Sequence, residues 1–132
     1  MMDEQINVIA KIGVTPYLTQ IEYRNGKFSS DEPSSSGGQD MGPSPKEILA
    51  GSLASCTAIT LRMYINRKQW IIDEITVDVK ISNVNSKTLF SCALTFLGEL
   101  DETKRERLLQ IAKACPVHKI LTQPIEIITQ IA

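Results

Sequence analysis

From Ile48 to Leu61 the chain runs without a charged residue, and at a 3.6-residue period its apolar positions occupy the whole circumference instead of one stripe. Such a helix belongs inside a core or an oligomer interface. Its start is written into Ser44-Pro45-Lys46-Glu47: serine as N-cap, proline at the first helical position, and glutamate three residues after the cap to close a capping box. Continued to about Lys68 the helix would be roughly 36 Å long. A chain of 132 residues has a radius of gyration of only about 14 Å. One short chain has difficulty covering such a helix on every side, which predicts a second subunit.

Elsewhere the apolar period is two. Ile6–Ile12 and Tyr17–Tyr23 predict a strand pair separated by Gly13-Val14-Thr15-Pro16, and Asn25-Gly26 predicts a type I′ hairpin that returns Phe28 antiparallel to Ile21, with Arg24 beside the turn. Ser29–Pro43 has the serine, glycine and proline density of a loop. After the long helix, Ile75, Val77, Val79 and Ile81 alternate with polar residues, as do Phe90, Cys92, Leu94 and Phe96, predicting two strands packed on one face. Asp101 caps an amphipathic helix whose Leu108, Ile111, Ala112 and Cys115 share a side, and Pro116 interrupts it. A further turn or short helix follows, and Ile125–Ile131 predicts a closing strand. The expected class is mixed α/β (α+β), in a single domain spanning residues 1–132.

Composition narrows the partners. The net charge of -1, from 14 basic and 15 acidic residues, leaves no electrostatic footprint for nucleic acid. No stretch is read as the roughly 18 apolar residues of a membrane span, and Asp3 and Glu4 stand where a signal peptide needs a basic flank. No membrane association and a cytoplasmic location are therefore expected. In a reducing compartment three cysteines are free, metal-bound or catalytic before they are a disulfide framework.

Each cysteine is read separately. Cys92 falls on the inward phase of a strand and is expected to be a small core hydrophobe. Cys56, in the middle of the apolar helix, gains nothing from the helix dipole, and an apolar setting raises a thiol pKa. It is either inert packing or a reactive thiol served by a cation from elsewhere, for which Arg24 and Arg62 are candidates, although Arg62 lies about 120° around the helix from it. Cys115, next to a helix-ending proline, has freedom to move, and His118 could tune either thiol or simply sit at a helix end. Cys56, Cys92, Cys115 and His118 number enough ligands for zinc. Two of them would come singly from a helix centre and a strand centre instead of as close pairs, so no metal is expected.

The hairpin arginine, the "DEP" loop, "GPSPKEILAGSLASC", the paired alternating strands and the terminal "CPVHK" together resemble the OsmC/Ohr family, osmotically inducible protein C and organic hydroperoxide resistance protein, over about Ile6–Ile131. The resemblance implies antiparallel sheets wrapped around a long buried central helix in an intertwined homodimer. It implies a thiol-dependent peroxidase that reduces organic hydroperoxides to alcohols, with Cys56 as the reactive cysteine, Cys115 as the resolving cysteine, Arg24 as the cation and Glu47 as a carboxylate near the helix start. It implies no bound cofactor, only an external dithiol or lipoyl-type reductant. Lys46 between Pro45 and Glu47, and the sequence "CPVHK", point to the broader OsmC-like branch. The alternatives are a non-enzymatic stress-related dimer that binds an apolar ligand, or a redox protein with a substrate other than peroxide. On a straight helix Glu47 and Cys56, nine positions apart, face opposite sides about 13 Å apart; a site using both would draw them from two subunits.

Overall fold

The computed structural model describes residues 5–132, and its contacts divide the chain into two compact units, one ending at Leu49 and one formed by Ala50–Ala132. The first unit holds an antiparallel sheet ordered β1 (Ile9–Ile12), β2 (Thr19–Tyr23) and β3 (Gly26–Ser30). Ile21 pairs with Phe28 as the hairpin reading requires, but the two-residue loop is Arg24-Asn25, closed by Tyr23 opposite Gly26. Asn25 and Gly26 are not among the residues with positive φ. The glycine serves space instead: a Cβ on Gly26 would stand 2.8 Å from the Tyr23 hydroxyl oxygen. The left-handed pair of a type I′ turn lies later in the chain, at Asn85 (φ 52) and Ser86 (φ 63).

The long loop after β3 is organised by Asp31, which is 2% exposed. Its carboxylate accepts backbone N–H bonds from Glu32 (2.7 Å), Tyr17, Gln39 and Met41 (each 3.2 Å). Burial by itself would raise the Asp31 pKa; the four amide donors outweigh it and hold the carboxyl below its ordinary value. One short 3-10 turn, Ser34–Ser36, ends at Gly37 with φ 91, a conformation that favours glycine.

Helix α1 (Pro45–Lys68) begins in the first unit and continues through the second. The capping box forms as its sequence dictates: the Glu47 N–H donates to Ser44 Oγ at 3.2 Å, and Glu47 Oε1 accepts from the Ser44 N–H at 2.9 Å. By length and composition alone α1 could cross a bilayer, which corrects the reading that no stretch approaches a membrane span. Within its own unit, however, Leu53, Thr57, Leu61, Tyr64 and Ile65 are buried. Arg67 and Lys68 in its last turn complement the negative end of the helix dipole.

The second unit pairs β4 (Ile72–Val84) with β5 (Lys87–Gly98) in a long antiparallel hairpin. Ile75, Val77, Val79 and Ile81 stand opposite Phe96, Leu94, Cys92 and Phe90, so the alternation read from the sequence selects one face. Gly98 is a required glycine, since φ is 150 and a Cβ would stand 2.8 Å from the Ile71 carbonyl oxygen. Helix α2 (Glu102–Ala112) is capped by Asp101, whose Oδ1 accepts from the Lys104 N–H at 2.8 Å. Its Leu108 joins Leu61, Tyr64, Ile65 and Ile72 in the core, bordered by Trp70, Ile75, Leu94 and Phe96. Two polar ties reinforce this packing: Arg62 Nη1 donates to the Ile72 carbonyl at 2.9 Å, and Arg107 Nε donates to Tyr64 Oη at 3.0 Å.

Three expectations fail here. Cys115 does not extend α2; it is the N-cap of α3 (Pro116–Leu121), with ψ 134, because the residue before a proline is pushed out of the helical region. Cys92 is exposed. The segment Ile125–Ile131 is no strand in this chain; Ile127, Ile128 and Ile131 are at least 82% exposed. Its β-branched content suits a strand, but a strand needs a partner edge before such residues can become a ladder.

Candidate active site

The two cysteines separated by 59 positions in sequence meet in the second unit. Cys56, half-buried on α1, and Cys115, fully buried at the head of α3, are both free thiols, and they lie near enough for each to shift the ionisation of the other. Pro116 at the first position of α3 explains the rest of the arrangement. It places Val117 and His118 as the next helical residues, whose N–H groups have no partner inside the helix and turn to the N-cap side chain. The His118 N–H lies 3.5 Å from Cys115 Sγ. The Val117 N–H and the Thr57 hydroxyl favour the anion on Cys115, and the Val117 N–H and the Thr60 hydroxyl favour it on Cys56.

These contacts make the two thiols unequal. Burial pushes the Cys56 thiol up, and the neighbouring Cys115 pushes it further, against the opposing effects of Val117 and Thr60. Burial opposes ionisation of Cys115 too, yet the Cys56 thiol, the His118 and Val117 N–H groups and the Thr57 hydroxyl together hold it below its ordinary value. Of the two coupled thiols, Cys115 is the one whose surroundings favour the anion. The sequence reading missed the two threonines and the two amides. The signal for them was available: Thr57 and Thr60 follow Cys56 by one and four positions on one helix, and a cysteine before a proline-led helix is an N-cap.

The other predicted residues sit in the first unit. Arg24 is exposed in the β2–β3 loop; with the Asn25 amide oriented to satisfy both its neighbours, Arg24 Nη1 donates to the Asn25 side-chain oxygen at 2.8 Å. Glu47 is held in the capping box, and its bonds to Ser44 lower its pKa. Arg62, the other candidate cation, is engaged with the Ile72 carbonyl. Cys92, on β5, lines two cavities of the second unit. One, of about 280 Å³, lies against α2 with Leu94, Phe96, Glu102, Arg105 and Leu109. The other, of about 320 Å³, is walled by Leu53, Phe90, His118 and Leu121. A small side chain between two openings stays accessible on the covered face of the sheet, which is why the inward phase did not bury it. Among the described residues no three His, Cys, Asp or Glu side chains converge as a metal site.

Comparison with known proteins places this architecture. The family model for OsmC-like protein matches residues 37–130. No curated protein matches the sequence. The fold is similar to an OsmC-like protein from Mycoplasma pneumoniae, with a TM-score of 0.77 and 18% identity over 91% of this chain and 89% of the other. It is also similar to an organic hydroperoxide resistance protein from Elizabethkingia anophelis, with a TM-score of 0.68 and 20% identity over 95% and 93%. An organic hydroperoxide resistance protein OsmC from Legionella pneumophila superposes with a TM-score of 0.63 and 20% identity, over 92% of each chain. The antiparallel sheets, the long helix with a cysteine at its middle and the family match over most of the sequence lead to one conclusion: this chain belongs to the OsmC-like family.

Proposed function

We propose that the protein reduces organic hydroperoxides to alcohols with Cys56 and Cys115. The observation that carries this reading is the nearness of the two thiols, each of which shifts the ionisation of the other and both of which are reduced and free. Cys56 gives up its proton and attacks the distal peroxide oxygen; the O–O bond breaks, the alkoxide leaves and is protonated to the alcohol, and Cys56 becomes a sulfenic acid. Cys115, already favoured as a thiolate by its amide and hydroxyl donors, then attacks the Cys56 sulfur, expelling hydroxide and closing a disulfide. An external dithiol, lipoyl-type or small, returns both thiols by exchange. No metal, flavin or haem takes part.

Cys56 starts from a raised pKa, so its ionisation needs a positive charge. Arg24 is assigned that duty and Glu47 the duty of positioning it, as in the family resemblance. The functional unit is taken to be a cytoplasmic homodimer without nucleic-acid or membrane partners; Ile59 and Met63 on α1, 51% and 66% exposed, are apolar positions that a second copy would cover. An apolar surround rewards burial of a hydrocarbon chain by about 25 cal/mol per Å², favouring alkyl or acyl hydroperoxides over hydrogen peroxide.

The polarity of the pair supports a second reading. With Cys115 as the stronger thiolate, a dithiol redox protein acting on a substrate other than peroxide would attack through Cys115 instead. Rapid mixing of reduced protein with cumene hydroperoxide decides between them. The peroxidase reading expects stoichiometric release of cumyl alcohol, faster than reaction with hydrogen peroxide and absent from Cys56→Ser. Consumption no faster than by free cysteine would overturn it.

A further inference from the structure

We propose that Cys92 is a third redox thiol, which takes over the disulfide from the buried pair and presents it to the external reductant. The relay rests on the peroxidase reading, but the juxtaposition that permits it does not.

The observations are the following. Cys115 is fully buried and Cys56 half-buried, so a disulfide between them offers little accessible sulfur. Cys92 is exposed. Cys92 and His118 wall the same 320 Å³ cavity, and the His118 N–H touches Cys115 Sγ at 3.5 Å, so one residue, His118, links the wall that Cys92 shares to the Cys115 sulfur. The charge of Cys115 is felt at Cys92, whose thiol burial raises first and Cys115 second. Cys115 also stands between two helices and not inside one. Its sulfur can change partners without breaking a helical turn.

The exchange balances without any further oxidant. A thiolate at Cys92 attacks the Cys115 sulfur of the Cys56–Cys115 disulfide; the Cys92–Cys115 bond forms and Cys56 leaves as a thiolate, taking up a proton equivalent to the one Cys92 lost. One thiolate of an external dithiol then attacks the Cys92 sulfur and releases Cys115. The second thiol of the same molecule attacks the mixed disulfide, releases Cys92 and leaves the dithiol oxidised. Two electrons enter and two thiols are restored.

The test uses diamide, which joins two thiols whether or not the protein consumes peroxide. Cys56→Ser protein receives one equivalent of diamide, is alkylated, and is mapped by mass spectrometry. The expected product is an intramolecular Cys92–Cys115 disulfide in the monomer-mass chain. Alkylation of Cys92 in essentially every chain, or disulfides only between chains, overturns the proposal. Wild-type protein provides the same test if the variant does not fold: a population with Cys56 alkylated and Cys92 bridged is expected, and its absence overturns the proposal. In stopped-flow measurements Cys92→Ser should leave oxidation by cumene hydroperoxide unchanged and slow re-reduction by dihydrolipoamide roughly tenfold; unchanged re-reduction contradicts the relay. A Cys92–Cys115 bridge made by diamide in a protein inert to hydroperoxide would sink the peroxidase reading alone.

Discussion

Asp31 and Cys115 are two buried acids stabilised by the same device, backbone N–H groups aimed at an anion, and they differ in what stands beside them. Asp31 gathers amides from Tyr17, Glu32, Gln39 and Met41 and has no proton-bearing neighbour in that set. Its charge is fixed and the loop after β3 is built around it. Cys115 is lowered by the amides of Val117 and His118 but stands beside a second thiol, Cys56, whose ionisation is coupled to its own. The first arrangement holds a shape; the second holds an anion beside another ionisable thiol. A donor set becomes chemistry when its acceptor has a partner able to trade protons and then bonds.

The largest effect expected from breaking this comparison is on the mobile side. Cys56→Ser should lower hydroperoxide turnover by roughly three orders of magnitude, in keeping with the loss of a nucleophile whose partners act as a unit. Cys115→Ser should still consume one equivalent of hydroperoxide and stop, with a sulfenic acid on Cys56 detectable by dimedone. Next in size is the scaffold of the second unit. Leu61 is completely buried, and Leu61→Ala should cost about 2–5 kcal/mol of stability, read by chemical denaturation.

Asp31→Asn tests the fixed side. The folded Asp31 pKa lies below its ordinary 3.8, so the stability it contributes is fully present above that value and is lost as pH falls through the folded pKa. The variant should lose stability at neutral pH and show a shallower acid limb, with amide exchange accelerated at Gln39 and Met41. Unchanged exchange there would mean that the loop does not depend on the carboxylate. The smallest effect is Thr57→Val, which removes one donor from Cys115. Followed by thiolate absorbance in a Cys92→Ser background, the first ionisation of the pair should move upward in pH, while Thr60→Val should instead affect the proton held by Cys56.

Much of this was legible in the sequence where local rules decide the outcome. The capping box, the Asp101 cap, the alternation of β4 and β5, and the register of Ile21 with Phe28 are all short-range consequences of residue type. What escaped depends on space. The Asn25-Gly26 dipeptide promised left-handed φ, but Gly26 was needed to clear the Tyr23 ring. Cys92 has the inward phase of a core residue, yet a phase fixes a face and not its cover, and two cavities leave that position open. Ile125–Ile131 has strand composition without a strand, because pairing is a property of two segments. Of the site, both cysteines were visible as residues; their meeting, and the amide donors that favour the anion on Cys115, arise only once Pro116 has opened α3 behind it.

The central claim is that Cys56 and Cys115 act as one two-electron unit. Thiols per chain should be counted with a chromogenic disulfide before and after one equivalent of cumene hydroperoxide under denaturing conditions, with peptide mapping of the product. Three thiols fall to one, within a chain of unchanged mass apart from the two hydrogens lost, and Cys115 is bridged in every oxidised molecule. Three thiols remaining, or a single cysteine carried to sulfinic acid with Cys115 still alkylatable, would contradict the account.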